Sequence, residues 1–360
     1  MSRSKEEAKA AGIEVEETKH SMKRRKPWHD YRRKGTYMLT LVVEGRKPVL
    51  GRLMIPAGEP TGVVTATIST TTPFATTPAA SAAGSYIELT ALGKTIRDEE
   101  IKKISTIYRM VEVWKLCIMP DHVHMIVSVK EELPAGKHLG DVVRGFKAGC
   151  TQAWRRLTTT TPAVSTAGSI APLPSLFERG YNDLILLDDS QLDTWNHYLD
   201  DNPRRLAIKR LRPDLFTTLN YTDIAEWHCQ LVGNIFLLDI PQKVAVIVHR
   251  GYTDEEYADY REKWMSCGEA GGILVSAAIA PREKEVMREA MNRGYRLILV
   301  RENGFPPLYK PSGEAFDACS EGRLLQVSPW DYHMERRTIS REQCLKLNRL
   351  VEEIVSRTTH

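Results

Sequence analysis

The run from Cys117 to Val129 (Cys-Ile-Met-Pro-Asp-His-Val-His-Met-Ile-Val-Ser-Val) constrains this chain more than any other stretch. After Pro120 and Asp121 it reads as a buried strand, with apolar residues following two histidines spaced i and i+2. Side chains two apart on a strand project from the same face. His122 and His124 therefore present two imidazoles side by side, at a separation one divalent cation can bridge, while Val123 and Met125 point into a core behind them. Two ligands do not close a structural zinc site, which takes four. A metal held here needs ligands from elsewhere and leaves positions open for substrate. The plain alternative is a pair of half-exposed histidines on a strand.

The 360 residues suffice for two domains, and 42% hydrophobic with 27% charged residues is ordinary for a globular chain. No apolar run approaches the ~20 residues of a membrane helix, and the N-terminus lacks a signal-peptide core, so no membrane partner is expected. Six scattered cysteines without a Cys-x-x-Cys pattern point to reduced thiols and a cytoplasmic location. A net charge of +4 permits nucleic-acid binding without demanding it, so the placement of charge matters more than its sum.

Residues 1–35 read as a basic N-terminal arm. Seven of the twelve residues from Lys23 to Lys34 are Lys or Arg, interleaved with Trp28 and Tyr31. Cations neutralise phosphates while rings stack on bases, which suits single-stranded DNA; a solvated basic arm is the competing reading. Lys23, Arg24, Arg25, Lys26, Trp28, Arg32 and Arg33 are the candidate contacts. A first domain spans 36–220. It opens with a strand over Tyr37 to Val43, and Gly51 to Ile55 carries a bend or a second short strand. Thr/Ala/Ser/Pro-rich tracts at 61–85 and 158–175 read as insertions without chemistry. Ile101, Ile104, Ile107 and Tyr108 mark a helix within Thr95 to Met110. Leu139, Val142, Val143, Phe146, Cys150 and Trp154 mark the apolar face of a second one. Arg144 and Lys147 lie off that face as possible phosphate contacts. Strands and helices in this order, with antiparallel pairing, fit an α+β domain with a ferredoxin-like split βαβ sheet.

Met119-Pro120-Asp121-His122-Val123-His124 before an apolar strand resembles the histidine pair of the HUH endonuclease superfamily, and more narrowly the REP-associated single-tyrosine transposases. Tyr37 to Leu41, Phe177 to Asp183 and Asn196 to Pro203 extend the resemblance over roughly residues 25–215. It implies the same sheet layout, a metal-dependent transposase, Mg²⁺ or Mn²⁺ at the histidines, a homodimer and recognition of a DNA hairpin. The tyrosine in Arg179-Gly180-Tyr181-Asn182-Asp183 matches the position of the family's nucleophile, so Tyr181 is the expected attacking residue. A phenol suits reversible strand transfer, because a phosphotyrosine keeps the energy of the cleaved bond. Tyr198 is explained by packing, since Leu192, Trp195 and Leu199 set it in an amphipathic helix. In the best-known relatives the third metal ligand follows the tyrosine by four residues on a helix; here that position is Ile185, which cannot coordinate. Asp183 is nominated instead, aligning with an acidic position in the REP-associated branch, with Asp121 as the alternative.

From about Lys243, within a second domain spanning 221–360, short apolar runs alternate with helices. Val244 to Val248, Gly272 to Ser276, Tyr295 to Val300 and Leu324 to Val327 predict a parallel, doubly wound α/β sheet. This half is similar to the Rossmann-like domain of the DNA-processing protein A and Moco-carrier group. No Gly-x-Gly-x-x-Gly is present, so a dinucleotide site is not supported. The loop Ser276 to Pro281 runs from a strand end into a helix, where anions bind in such sheets; a plain tight connection is the stronger reading.

Three functions remain in play: a strand transferase making a 5′-phosphotyrosine on single-stranded DNA, a metal-dependent phosphoesterase using water, and an inactive relative that only binds DNA.

Overall fold

The computed structural model describes residues 26, 28–56, 82–158, 174–335 and 338–357. Lys23, Arg24, Arg25 and almost all of the two Thr/Ala-rich tracts fall outside them. The chain is an α+β protein whose described residues form two units, 26–56 with 82–207 and 208–357.

In the first unit, β1 (Gly35–Val42), β4 (Val111–Met119), β5 (His122–Val129) and β6 (Asn182–Ile185) make one antiparallel sheet in the order β4-β5-β1-β6. A hairpin of β2 (Gly51–Met54) and β3 (Tyr86–Leu89) stands as its own small sheet. The strand-helix-strand-strand-helix-strand connection keeps sequential β4 and β5 paired and puts β1 between β5 and β6.

Alternation along the strands sorts the two faces. Tyr37, Leu39 and Leu41 of β1 and Val123, Met125 and Val127 of β5 are buried in one core. That face is covered by α1 (Ala91–Thr95), a π turn over Ile96–Glu100, α2 (Ile101–Ile107) and α3 (Leu139–Thr158). Leu139, Val142, Val143, Phe146 and Cys150 do supply the inner face of α3. Ile107 departs from the helical-spacing expectation: it is 68% exposed. The helix stops there, because Tyr108 leaves helical backbone geometry (φ −117°, ψ 85°). The other face of the sheet carries Met38 and Ile126, covered by Trp195 and Leu199 of α4 (Ser190–Leu211).

The second unit holds a six-stranded sheet in the order β7-β8-β12-β11-β10-β9. β9 (Lys243–Ala245), β10 (Ile273–Ser276), β11 (Arg296–Val300) and β12 (Leu324–Ser328) are parallel. An antiparallel hairpin of β7 (Leu219–Ile224) and β8 (Trp227–Gly233) extends it beside β12. α5 (Asp254–Glu269) and α6 (Pro281–Asn292) pack on β10 as crossovers, and α7 (Glu314–Ser320) packs on β12. Leu347, Leu350, Val351 and Ile354 of α8 (Arg341–Ser356) bury the alternate residues Ile273, Val275, Ile298 and Val300. The parallel strands follow one another in chain order, so among them there is no reversal of direction to open a crevice. The expected domain boundary at 220 falls inside this unit: Leu215 and Phe216 are buried, and Phe216 stacks on Phe316 with ring centroids 4.8 Å apart.

Candidate active site around the histidine pair

β5 brings His122 and His124 to the face that α4 covers, because the register pairs Thr40 with His124 and Val42 with His122. Their rings stand 4.7 Å apart, nearly perpendicular. Each imidazole is held from its Nδ1 side. His122 Nδ1–H donates to Asp121 Oδ1 at 2.6 Å, and His124 Nδ1 shares a 2.8 Å hydrogen bond with Thr40 Oγ1. The Nε2 atoms are thereby the ones left to coordinate, which is how ligating histidines are oriented by their partners. Asp121 is itself bonded to Arg46 at 3.2 Å. Burial works against the Asp121 carboxylate, but His122 and Arg46 outweigh it and hold it below its ordinary range. Burial, with His122 as the second cause, pushes His124 down to about 3, so it is a neutral imidazole at physiological pH.

α4 crosses this face because Trp195 and Leu199, one turn apart, fill the patch made by Met38 and Ile126. Lys115 of β4 ties the helix down, its ammonium donating to Asp200 Oδ2 (2.6 Å) and to the Asn196 carbonyl (3.1 Å). Between those two anchors sits Tyr198, its ring 5.6 Å from that of His124 in an edge-on arrangement. One turn further on, Asn202 is buried and donates from Nδ2 to the Tyr198 carbonyl at 3.1 Å. Pro203 follows inside the helix and removes a backbone donor from it.

Tyr181 and Asp183, expected beside the histidines, are not brought to them. The register matches Thr40 with Asn182 and Leu39 with Asp183, so Asp183 points to the opposite face of the sheet, where Leu39 is buried. There its Oδ2 accepts a 2.8 Å hydrogen bond from the Tyr31 hydroxyl. Tyr181 packs against that same core, and its hydroxyl is 3.7 Å from where a Cβ on Gly140 would stand at the start of α3. The sheet itself separates both residues from His122 and His124. Asp121 is placed in the turn before β5 as the hydrogen-bond partner of His122, behind the coordinating side.

The basic candidates divide. Trp28 is 63% exposed, as a stacking residue requires, and Lys26 is exposed. Arg32 forks onto Asp30 through two hydrogen bonds, and Arg33 pairs with the same carboxylate at 3.4 Å. Arg144 is exposed and pairs with Asp141. Lys147 is part-buried and spends its ammonium on the carbonyls of Glu178 and Gly180, and burial lowers its pKa. Lys147 thus secures the turn before β6.

In the second unit, the strand-end loop Ser276 to Pro281 is filled from within. The buried Glu283 carboxylate accepts hydrogen bonds from the amides of Val248 (2.9 Å), Ile279 (2.7 Å) and Ala280 (3.0 Å). The donors an external anion would use are taken by the chain's own carboxylate.

Among the described residues, no three His, Cys, Asp or Glu side chains cluster as a metal site, and no helix is long and apolar enough to cross a membrane. Two imidazoles are too few for a closed structural site and suit an open one that takes further ligands from elsewhere.

No protein-family model matches the chain, and no curated protein matches it. Among solved structures, the chain is similar to a REP-associated tyrosine transposase bound to a REP hairpin, with 15% identity over 50% of this chain and 72% of that one, TM-score 0.29. It is also similar to a Deinococcus radiodurans R1 protein described as a candidate transposase, with 14% identity over 49% and 97% of the two chains, TM-score 0.25. DNA processing protein A from Helicobacter pylori, whose structure concerns single-stranded DNA binding, shares 20% identity over 39% and 65%, TM-score 0.29.

Proposed function

We propose that this protein is a metal-dependent DNA strand transferase of the single-tyrosine HUH type, with Tyr198 rather than Tyr181 as its nucleophile. The observation that carries the reading is the position of Tyr198 on α4, edge-on to His124 and on the histidine side of the sheet. The spacing of four between tyrosine and third ligand, which Tyr181 and Ile185 do not satisfy, is met by Tyr198 and Asn202 on one helical face. His122 Nε2, His124 Nε2 and the Asn202 amide oxygen would hold Mg²⁺ or Mn²⁺. Bound there, the cation would polarise the scissile phosphodiester.

The chain's own residues do the rest. Asp121 and Thr40 orient the two imidazoles, and Lys115 holds α4 so that the Tyr198 hydroxyl faces the phosphate. The phenol loses its proton to solvent as its oxygen bonds to phosphorus. The P–O3′ bond breaks, leaving a 5′-phosphotyrosine and a 3′-oxygen that takes a proton from water. Because nucleophile and histidines belong to one chain, cleavage of one strand needs no second copy. A homodimer, as the resemblance implies, would serve exchange between two strands. Trp28, Lys26 and Arg144 are the exposed candidates for contacting hairpin-bearing single-stranded DNA.

The test is a denaturing-gel assay for covalent adducts, using labelled single-stranded DNA with hairpins from the gene's own flanks and Mn²⁺. The adduct is expected with the unmodified protein and with Tyr181→Phe, and is lost in Tyr198→Phe and in His122→Ala/His124→Ala. Loss in Tyr181→Phe with retention in Tyr198→Phe would restore the first assignment. Cleavage without an adduct would identify a water-using phosphoesterase, and binding alone an inactive DNA-binding relative.

A further inference from the structure

Trp114 stands where packing does not call for it. It belongs to β4, an edge strand of the first unit's sheet, and is 47% exposed. The register slips between Val113 and Lys115, so Trp114 is the extra residue of a β-bulge. On either side of the slip Glu112 lies opposite Ser128, Lys115 opposite Ile126 and Cys117 opposite His124. All three therefore share the histidine face. The indole is turned to that face too, because its Nε1–H donates to Glu112 Oε2 at 3.3 Å. Glu112 is in turn paired with Lys130. The bulge thus presents a ring whose one polar atom is satisfied by a neighbour, while among the described residues no other ring stacks on it. The most exposed tryptophan, Trp28, belongs elsewhere. It meets His29, which is bonded to Tyr37 in the core of the opposite face.

We propose that Trp114 is a nucleobase-stacking residue, its indole face taking one unpaired base of the single strand that reaches the histidine pair. This rests on the reading of the histidine face as a single-stranded DNA site. Trp114 lies three residues along β4 from Cys117, the partner of His124, a distance of about 10 Å. That is the span of about three stacked nucleotides, so one strand can meet both places. An exposed edge also invites a second copy of the chain. The bulge argues against it, because it interrupts the row of N–H and C=O groups that an added strand would pair with. A base needs only the flat face of the ring, and stacking of this kind tolerates any base. Lys130 neutralises Glu112, which removes the like charge that would otherwise repel a phosphate beside the ring.

The test measures binding of the full chain, in EDTA, to labelled hairpin-bearing single strands from the gene's own flanks. Trp114→Ala should weaken binding about 5–150-fold, the size of losing one stacked base. Trp114→Phe, which keeps a ring, should retain most of the affinity. Trp114→Leu, which keeps apolar bulk without a π face, should be as weak as Trp114→Ala. The salt slope should be the same in all of them, because stacking releases no counterions. A single abasic nucleotide moved along the strand then locates the base. At one position it should weaken the unmodified protein and leave Trp114→Ala unaffected. No such position, or a Trp114→Leu variant that binds like the unmodified protein, overturns the proposal. So does a fall from dimer to monomer in Trp114→Ala with the abasic pattern unchanged, which would make Trp114 a contact between copies. Failure of the strand-transferase reading shows separately. If the unmodified protein forms no covalent adduct with Mn²⁺ but its abasic pattern depends on Trp114, that reading falls and the stacking site stands. Absence of any DNA binding overturns both.

Discussion

At the scale of single residues, the site is built from side chains that hold other side chains. Asp121 and Thr40 occupy the Nδ1 atoms of His122 and His124, which leaves the Nε2 atoms as the ring nitrogens a metal could use. Removing such a partner typically lowers metal affinity 10–100-fold. Asp121→Asn and Thr40→Val are therefore each expected to weaken Mn²⁺ binding on that scale in calorimetry, with the fold retained. Affinity unchanged in both variants would mean that the rings are set by packing alone. Lys147 makes the opposite kind of prediction. Its ammonium serves the Glu178 and Gly180 carbonyls, so Lys147→Met should cost about 1–3 kcal/mol in denaturant unfolding. The salt dependence of DNA binding should not move; a slope that falls by about 0.7 with stability intact would show a phosphate contact instead.

At the scale of elements, α4 matters most, because it carries Tyr198 to the histidines. Trp195 and Leu199 attach it, so Leu199→Ala should cost about 2–5 kcal/mol and slow adduct formation at temperatures where the first unit remains folded. A stability loss with undiminished adduct formation would mean that Lys115 suffices to hold the helix. Close approach of backbones sets another limit at α1. A Cβ on Gly93 would stand 2.1 Å from the Leu50 carbonyl oxygen, so Gly93→Ala should destabilise the first unit by about 1–3 kcal/mol. Much at this scale was legible beforehand. The period of α3 and the alternation in β1 and β5 are local patterns, and Leu139 to Cys150 and Tyr37 to Leu41 fall where those patterns put them. Tyr198 was legible as a helical residue beside Trp195 and Leu199. That same packing signal hid its place beside His124, because a helix that buries an apolar stripe can also carry another side chain to a neighbouring group at the stripe's margin.

For the whole molecule, the two units satisfy their polar groups by different routes. The first ties its two imidazoles through Nδ1 to Asp121 and Thr40, whereas the second closes its strand-end loop with Glu283. Glu283→Ala would strand three part-buried amides, so it should destabilise the second unit by about 3 kcal/mol or more and leave the first unit's unfolding unchanged. Glu283→Gln, which keeps an acceptor, should cost less; hydrogen exchange at Val248, Ile279 and Ala280 separates the cases. What the sequence by itself determined is everything with a short period: the paired histidines on one strand face, the amphipathic helices, the four parallel strands and the absence of a dinucleotide fingerprint. Only the tertiary structure decided which tyrosine meets those histidines. Alternation tells which residues of one strand share a face. The face given to Tyr181 and Asp183 depends on the register of β6 against β1, and the position of Tyr198 on the docking of α4 over Met38 and Ile126. Both are contacts between segments far apart in the chain, and local pattern carries no information about them.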